Sequence, residues 1–357
     1  MFFASFTARV KDVFKTSFLF TLLIGIISGY ALGFIIFYNL TSDLKLKKVL
    51  LNKDYNFKED LNIIDDNHVP SYASIKETEV KDDQNVRLLC WIMTQPRNHA
   101  TKAVHVKATW GKRCNILLFM SSKEDDSLPA IKLPVWEGRD YLWSKTKNAF
   151  KYVYKHYFDK ADWFLKADDD TYVIVENLRY LLADQNTTEP VYLGWRFRNH
   201  ENQGLTGVRQ AKQGFMSGGA GYVLGKNALE KFIKEALPNS EKCEQGDIGD
   251  EDIEIGKCLE NVGIKAKTTR DSYGRERFFP LIPDSLLVPG FEIPLWYISF
   301  AYYKPRQGDD CCSDAAITFH YVSPEMMYVI EQFIYKIKPH GIYRQIKEIS
   351  KNMSLYT

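Results

Sequence analysis

Short apolar runs that alternate with helical segments constrain the fold of this chain most strongly, and they begin near residue 85. The runs VRLLCWIM (86–93), NILLFMSS (115–122) and DWFLKA (162–167) have the length and composition of buried strands. Residues 100–110, 139–158 and 175–183 are predicted to be helical, and residues 190–197 form a further predicted strand. This alternation predicts an α/β fold with a mainly parallel central sheet flanked by helices.

Three consecutive aspartates follow the run DWFLKA, at the carboxyl end of a predicted parallel strand, where such sheets bind ligands. In an extended backbone, Asp168 and Asp170 point to one side and Asp169 points away. Carboxylates this close repel one another unless a cation lies among them, and their hard oxygens suit Mg²⁺ or Mn²⁺. We interpret the run as a site for a metal ion and a diphosphate. An acidic turn before a helix is the alternative.

Three later segments contain residues that such a site could use. The glycines of SGGAG (217–221) permit close backbone approach to a ligand, or a tight turn between packed elements. The acidic residues of GDEDIE (249–254) either begin a helix or place a general base in the pocket. His320 lies in an apolar strand pattern, which is typical of a core histidine unless the fold brings it to the aspartates as a metal ligand. Residues 278–314 are predicted to form loops around a pocket.

Two classes of protein are disfavoured by the composition and the motifs. The 47 basic and 45 acidic residues give a formal charge of +2 without a basic stripe, so we expect no nucleic-acid partner. The glycines have neither the P-loop nor the Rossmann spacing, which argues against a nucleoside triphosphatase or a dinucleotide-dependent enzyme.

The N-terminal part of the chain has the pattern of a membrane anchor. Residues 17–40 contain no charged side chain and are numerous enough to cross a bilayer. Their length and the lack of a small-residue cleavage pattern favour an uncleaved anchor over a signal peptide. We therefore predict a cytoplasmic tail (1–16), a transmembrane anchor (17–40), a polar lumenal stem (41–84), one large domain (85–345) and a C-terminal tail (346–357).

All six cysteines follow the predicted anchor, which fits an oxidising lumen and up to three disulfides. Six reduced core thiols are the alternative. Pairing by proximity in sequence joins Cys90 with Cys114, Cys243 with Cys258, and Cys311 with Cys312. The last pair is the least expected, because Cα atoms of neighbouring residues lie about 3.8 Å apart, below the usual range for a disulfide.

The ordered series of motifs resembles one family of enzymes. FLKADDDTYV, GFMSGGAGYVL, EDIEIGKCL and CCSDAAITFHYV follow the predicted anchor and stem in this order. Together with RLLCWIMT, HVKATWGKRCN and EGRDYLWSKT, they are similar to the core 1 β1,3-galactosyltransferases, which are fringe-like members of the β1,3-glycosyltransferase family. The resemblance covers roughly residues 86–343.

This resemblance implies a GT-A fold and a Golgi protein with a single type II anchor and a lumenal catalytic domain. It also implies Mn²⁺-dependent transfer of galactose from UDP-galactose to GalNAc α-linked to Ser or Thr of glycoproteins, which gives the core 1 O-glycan. A homodimer is expected. The implied metal ligands are Asp168, Asp170 and His320, and the implied general base is Asp252, with Asp250 as the competing candidate. Donor contacts are expected from Thr94, Arg139, Asp140, Lys145, Asp168, Asp169, Gly218 and Gly219, and acceptor contacts from Trp296 and Tyr297.

Alternatives to this activity stay open at the level of sequence. A fringe-like enzyme could use another UDP-sugar, and a chaperone-like paralogue could bind a client without any transfer. The three intact aspartates favour an enzyme over the paralogue and over an anchored lectin-like module, because neither of those needs a metal–diphosphate site. Residues 199–212 are longer than the resemblance predicts and could alter a loop that faces the acceptor.

Overall fold

A computed structural model of the protein describes residues 85–198, 211–338 and 340. The predicted tail, anchor and stem, the C-terminal tail and most of the segment 199–212 lie outside the described residues. Within the described residues, no helix combines the length and the apolar character needed to cross a bilayer.

The strands and helices of the described residues confirm the α/β class. The strands are β1 (Leu88–Met93), β2 (Ile116–Ser121), β3 (Ala130–Lys132), β4 (Trp163–Asp168), β5 (Tyr172–Val173), β6 (Tyr192–Gly194), β7 (Arg196–Phe197), β8 (Phe215–Met216), β9 (Tyr222–Gly225), β10 (Phe278–Phe279) and β11 (Thr318–Phe319). The helices are α1 (Val104–Ala108), α2 (Leu142–Tyr157), α3 (Val175–Ala183), α4 (Lys226–Lys231), α5 (Glu251–Asn261), α6 (Pro283–Leu287), α7 (Leu295–Phe300) and α8 (Pro324–Tyr335).

The central sheet has six strands in the order β3-β2-β1-β4-β9-β6. Strands β3, β2, β1 and β4 are parallel, β9 is antiparallel to β4, and β6 is antiparallel to β9. Since β6 therefore runs in the direction of β4, only β9 opposes the others. Smaller sheets have the orders β10-β11-β5 and β7-β8. The central sheet is mixed, and the prediction of a mainly parallel sheet is confirmed.

Both faces of the central sheet are buried, as the continuous apolar runs predict. Every residue of β1 is buried, and successive side chains point to opposite faces. One core cluster contains Leu88, Cys90 and Ile92, and the other contains Leu89, Trp91 and Met93.

Two predicted elements differ from what the sequence indicated. The predicted strand 190–197 divides after Gly194, because the chain leaves the central sheet there and Arg196–Phe197 pairs with Phe215–Met216 instead. The predicted helix 100–110 contains only the short α1, which follows a π-helical turn at His99–Ala103. The predicted helices 139–158 and 175–183 correspond to α2 and α3.

All three predicted disulfides are present. They join Cys90 to Cys114, Cys243 to Cys258, and Cys311 to Cys312. The first ties β1 to the residues before β2, and the second joins α5 to the loop that precedes it.

Strand register positions the aspartates and the histidine. Strands β1 and β4 pair with Met93 opposite Asp168, so the residues that follow each strand emerge together at one edge. Strand β11 pairs antiparallel with β5, with Phe319 opposite Tyr172. The next residue of the chain after Phe319 is His320, which this pairing brings beside the turn that follows Asp168.

Candidate active site

The three aspartates form the turn at the end of β4, and His320 lies beside them. Nε2 of His320 is 3.1 Å from Oδ1 of Asp170 and 3.7 Å from Oδ2 of Asp168. One ligand atom from each of these three side chains lies within 4.8 Å of the others. Two carboxylates and an imidazole are a donor set that fits a divalent cation such as Mn²⁺. The fold thus brings together the three side chains predicted to bind the metal.

Asp170 lies between Lys102 and His320. Nζ of Lys102 donates a hydrogen bond of 2.9 Å to Oδ2 of Asp170, while His320 contacts its other oxygen. Burial disfavours the ionised carboxylate, but the hydrogen bonds and charges of His320 and Lys102 outweigh it and hold the pKa of Asp170 well below its usual range. Asp170 is therefore an anion at neutral pH. Lys102 was not among the predicted site residues.

Asp169 has a different environment from its two neighbours. Its Oδ2 accepts hydrogen bonds from Oγ1 of Thr94 at 2.7 Å and from Nδ2 of Asn98 at 2.8 Å. Burial raises its pKa to about 6. Asp169 holds the turn against the end of β1, whereas Asp168 and Asp170 face His320. Asp168 and Asp170 therefore point to one side and Asp169 to another, as the alternation of side chains along a strand predicted, although Asp169 and Asp170 lie in a turn beyond the strand.

Lys166 connects the acidic turn to the first residue of α5. This lysine of β4 is buried, and its Nζ donates to Oδ1 of Asp168 at 2.7 Å and to Oε1 of Glu251 at 2.8 Å. Burial would lower the pKa of Lys166, but the two carboxylates outweigh it and raise that pKa above its usual value. Lys166 was not among the predicted site residues, and Glu251 was predicted only as part of the acidic run 249–254. The available signal was a lysine inside an otherwise apolar strand pattern.

Asp252 lies in the first turn of α5 and faces the same cavity as the aspartates. Its Oδ2 accepts a hydrogen bond of 3.1 Å from the backbone N–H of Gly218, and its Oδ1 accepts one of 2.9 Å from the N–H of Ile253. Burial, with a further contribution from the charge of Glu251, raises the pKa of Asp252 to about 7. A carboxyl group with a pKa near neutrality is suited to general base catalysis.

The glycine segment brings the backbone close to side chains of the site itself. A Cβ on Gly218 would lie 2.0 Å from Oε1 of Glu251, and one on Gly219 would lie 2.1 Å from Cε1 of His320. Gly221 has a φ of +79°, which favours glycine. The glycines at 218 and 219 therefore bring the backbone close to the helix that carries Asp252 and to His320.

One cavity of about 550 Å³ joins most of the predicted site residues. Its wall contains Thr94, Arg139, Lys145, Asp168, Asp169, Asp170, Gly218, Gly219, Asp250, Asp252, Trp296 and His320. Two predicted residues are not on this wall. Asp140 is exposed to solvent elsewhere, and Tyr297 is 1% exposed and stacks on Trp195 with 5.0 Å between ring centroids.

At the β1 end of the cavity, a buried lysine spans two elements. Nζ of Lys145 donates to the carbonyl of Thr94 at 2.7 Å and also to Oε2 of Glu137. Burial is the largest influence on Lys145 and lowers its pKa. The hydroxyl of Thr94 is already used by Asp169, so Thr94 and Lys145 are held in place by the protein's own contacts.

Comparison with known proteins assigns the chain to a family. A family model described as Fringe-like matches residues 83–306. The glycoprotein-N-acetylgalactosamine 3-beta-galactosyltransferase 1 of Xenopus laevis is 44% identical over 288 residues, which are 80% of this chain and 76% of that protein. The chain belongs to the Fringe-like family. The resemblance to core 1 galactosyltransferases, which the motifs indicated, is confirmed.

A more distant relative and a solved structure also resemble this Fringe-like protein. The beta-1,3-glucosyltransferase of Mus musculus is 25% identical over 173 residues, 48% of this chain and 33% of that protein. The structure of galactosyltransferase LgtC with donor and acceptor sugar analogs aligns with a TM-score of 0.38 at 10% identity, over 70% of this chain and 97% of the LgtC chain.

Proposed function

We propose that this Fringe-like protein transfers galactose from UDP-galactose to the 3-hydroxyl of GalNAc that is α-linked to Ser or Thr of glycoproteins, forming the core 1 O-glycan. The observation that carries the proposal is a single cavity bounded by both the carboxylate–imidazole cluster and the near-neutral carboxyl of Asp252. The 44% identity with a galactosyltransferase named for this acceptor supports the choice of sugars.

Asp168, Asp170 and His320 would hold the metal, which we propose to be Mn²⁺. When bound there, the ion supplies Lewis-acid stabilisation of the negative charge on a leaving diphosphate. The ionised state of Asp170 and the donor set of the three side chains favour such binding. Lys102 contacts Oδ2 of Asp170, which leaves Oδ1, the oxygen beside His320, for a cation.

Asp252 would act as the general base. Its carboxylate accepts the proton of the acceptor's 3-hydroxyl, while that oxygen attacks the anomeric carbon from the face opposite the leaving UDP. One displacement of this kind converts the α-linked donor into a β-linked product. The hydrogen bonds from the N–H groups of Gly218 and Ile253 fix the orientation of the carboxylate, so that its remaining lone pairs can serve the hydroxyl.

The remaining site residues are assigned to the two substrates. Thr94, Arg139, Lys145, Asp168, Asp169, Gly218 and Gly219 are proposed for the donor side and Trp296 for the acceptor side, since all of them line the cavity. For Asp140 and Tyr297, which do not line it, a role would require a change in the loops around the cavity. We also propose the GT-A arrangement for the domain, and Golgi residence as a type II membrane homodimer.

The test uses the full-length protein, purified in detergent and incubated with a GalNAc-bearing glycopeptide. UDP-galactose, UDP-glucose, UDP-GalNAc and UDP-GlcNAc are supplied separately, each with Mn²⁺ or with a chelator. We expect transfer of galactose alone, and only with the metal. Transfer of a different sugar would support the fringe-like alternative, and no transfer from any donor would support the chaperone-like one.

A further inference from the structure

We propose that Lys166 is a positioning residue that couples the metal-binding carboxylate of Asp168 to the helix that carries Asp252. A role of Lys166 in catalysis rests on the proposed function, whereas its effect on metal binding does not. Nζ of Lys166 contacts Oδ1 of Asp168 at 2.7 Å, Oε1 of Glu251 at 2.8 Å and the carbonyl of Gly218 at 3.0 Å. An ammonium has three N–H donors, and these three acceptors use all of them.

The contact with Asp168 determines which of its oxygens is available to a cation. Oδ1 is held by Lys166, whereas Oδ2 lies 3.7 Å from Nε2 of His320, on the side of the metal cluster. Lys166 has 1% of its side chain exposed and so has little freedom to move. Asp168 is thereby fixed with one oxygen directed towards the cluster.

The contacts with Glu251 and Gly218 extend the same network to the base. Glu251 is the first residue of α5 and also accepts hydrogen bonds from Oγ1 of Thr146 and from the hydroxyl of Tyr222. The carbonyl of Gly218 accepts a hydrogen bond from Lys166, and the N–H of Gly218 donates one to Asp252. A displacement of Lys166 would therefore shift both the metal ligand and the support of the base.

Charge and position predict opposite effects of removing this ammonium. If Lys166 acted only through its positive charge, it would repel the metal ion beside Asp168, and its loss would strengthen metal binding. As a positioning residue, its loss frees the Asp168 carboxylate to rotate, and metal binding weakens. Partners that orient a metal ligand typically contribute roughly 10–100-fold in affinity.

The experiment measures Mn²⁺ binding to the full-length protein by electron paramagnetic resonance of the free ion, without any sugar donor. Lys166→Met is expected to weaken binding by roughly 10–100-fold. The matched control is Lys147→Met, which removes another buried ammonium, one that donates to the carbonyls of Gln245 and Gly246 and not to a residue of the metal cluster. The control is expected to bind Mn²⁺ as tightly as the wild type.

A second variant tests the coupling and guards against a misfolded single variant. Glu251→Gln is expected to weaken Mn²⁺ binding when Lys166 is present. It should have no further effect in Lys166→Met, because the hydrogen bonds that connect Asp168 to Glu251 through Lys166 are then already absent. The double variant removes the ammonium together with the buried carboxylate of Glu251, so that only the partly exposed Asp168 loses a charged partner. It therefore shows the loss if Lys166→Met alone does not fold.

Three results would overturn the inference: Mn²⁺ binding by Lys166→Met at wild-type strength or above, effects of the two changes that simply add, or no Mn²⁺ binding by the wild type. Failure of the proposed function has a different signature. In that case galactose transfer is absent, while Mn²⁺ binding and its dependence on Lys166 and Glu251 are retained.

Discussion

At the scale of single residues, two neighbouring carboxylates compete for the role of base. Both Asp250 and Asp252 line the cavity. Asp250 precedes α5, and its carbonyl accepts the N–H of Glu254 at 2.9 Å. Asp252 has its side chain held by Gly218 and a pKa raised to about 7. The surroundings of the Asp252 carboxyl group therefore favour it as the base.

We predict that Asp252→Asn lowers galactose transfer by about 10²–10⁴-fold, the usual contribution of a positioned base. The variant cannot accept the hydroxyl proton but keeps the size of the side chain. Mn²⁺ binding should change little, since Asp252 is not among the metal cluster. Asp250→Asn is the matched control, with transfer close to that of the wild type. A larger loss in the control would reassign the base to Asp250.

The pH dependence of transfer follows from the same carboxyl group. Because the pKa of Asp252 is raised to about 7, the group is protonated and inactive as a base below that pH. We expect kcat/KM to fall about tenfold per pH unit below pH 7 and to level off above it. The measurement is initial transfer rate at low acceptor concentration with saturating Mn²⁺. An acid limb near pH 4 instead would contradict the assignment.

At the scale of elements, the site is held by contacts between segments that are distant in the chain. The glycine segment before β9 lies against the start of α5 on one side and against His320, which follows β11, on the other. Gly218 and Gly219 have no room for a Cβ because the side chains of Glu251 and His320, respectively, fill the space. Packing therefore requires the absence of a side chain at these two positions, whereas at Gly221 the positive φ favours glycine.

We predict that Gly219→Ala weakens Mn²⁺ binding, by roughly tenfold, because the new methyl group displaces the ring of His320 from Asp170. Gly246→Ala is the matched control: its Cβ would meet only the flexible end of Glu244, at 3.0 Å. Calorimetric titration with Mn²⁺ and thermal unfolding are measured on both variants. Equal Mn²⁺ affinities of the two variants would show that His320 tolerates the methyl group.

At the scale of the whole molecule, α8 anchors the segment that carries His320 to the central fold. Glu331 of α8 is buried and accepts hydrogen bonds from both terminal nitrogens of Arg113, at 3.0 and 2.7 Å, and from the hydroxyl of Tyr172 at 3.0 Å. Lys112 lies 2.9 Å away. Burial alone would raise the pKa of Glu331, but these partners lower it to about 2.

We predict that Glu331 contributes to the fall in stability at acid pH. A lowered native pKa means that the unfolded state binds the proton more readily, so the contribution is complete above about pH 4.5 and is lost as pH falls towards 2. Glu331→Gln should unfold more easily at pH 7 and show a shallower pH dependence below 4.5. Urea unfolding at several pH values measures both.

The exposed pair of Glu230 and Lys234 supplies the control for this prediction. Glu230→Gln breaks a pair that is 38% and 58% exposed, and such surface pairs contribute little to stability. Its unfolding curves should follow those of the wild type. If Glu331→Gln also followed the wild type at every pH, the anchoring role of this carboxylate would be wrong.

The amino-acid sequence by itself determined the local patterns of this Fringe-like protein. Apolar runs predicted β1, β2, β4 and β6 of the central sheet but not the short β3 and β9. Helical spacing predicted α2, and the three aspartates marked the end of β4, because these features depend on residues close in sequence. The disulfides were also predicted, since each joins cysteines that are neighbours in the order of the chain.

Only the tertiary structure decided which distant residues share the site. The antiparallel pairing of β11 with β5 brings His320 to Asp170, and Lys166 reaches Glu251 across 85 positions of sequence. Sequence patterns report neighbours along the chain, whereas a buried charge finds its partners through the packing of elements. For the same reason Tyr297, predicted at the acceptor, lies stacked in the core instead. The packing of elements also gives these carboxyl groups different surroundings. Burial beside Glu251 raises the pKa of Asp252, whereas the contacts with His320 and Lys102 lower the pKa of Asp170.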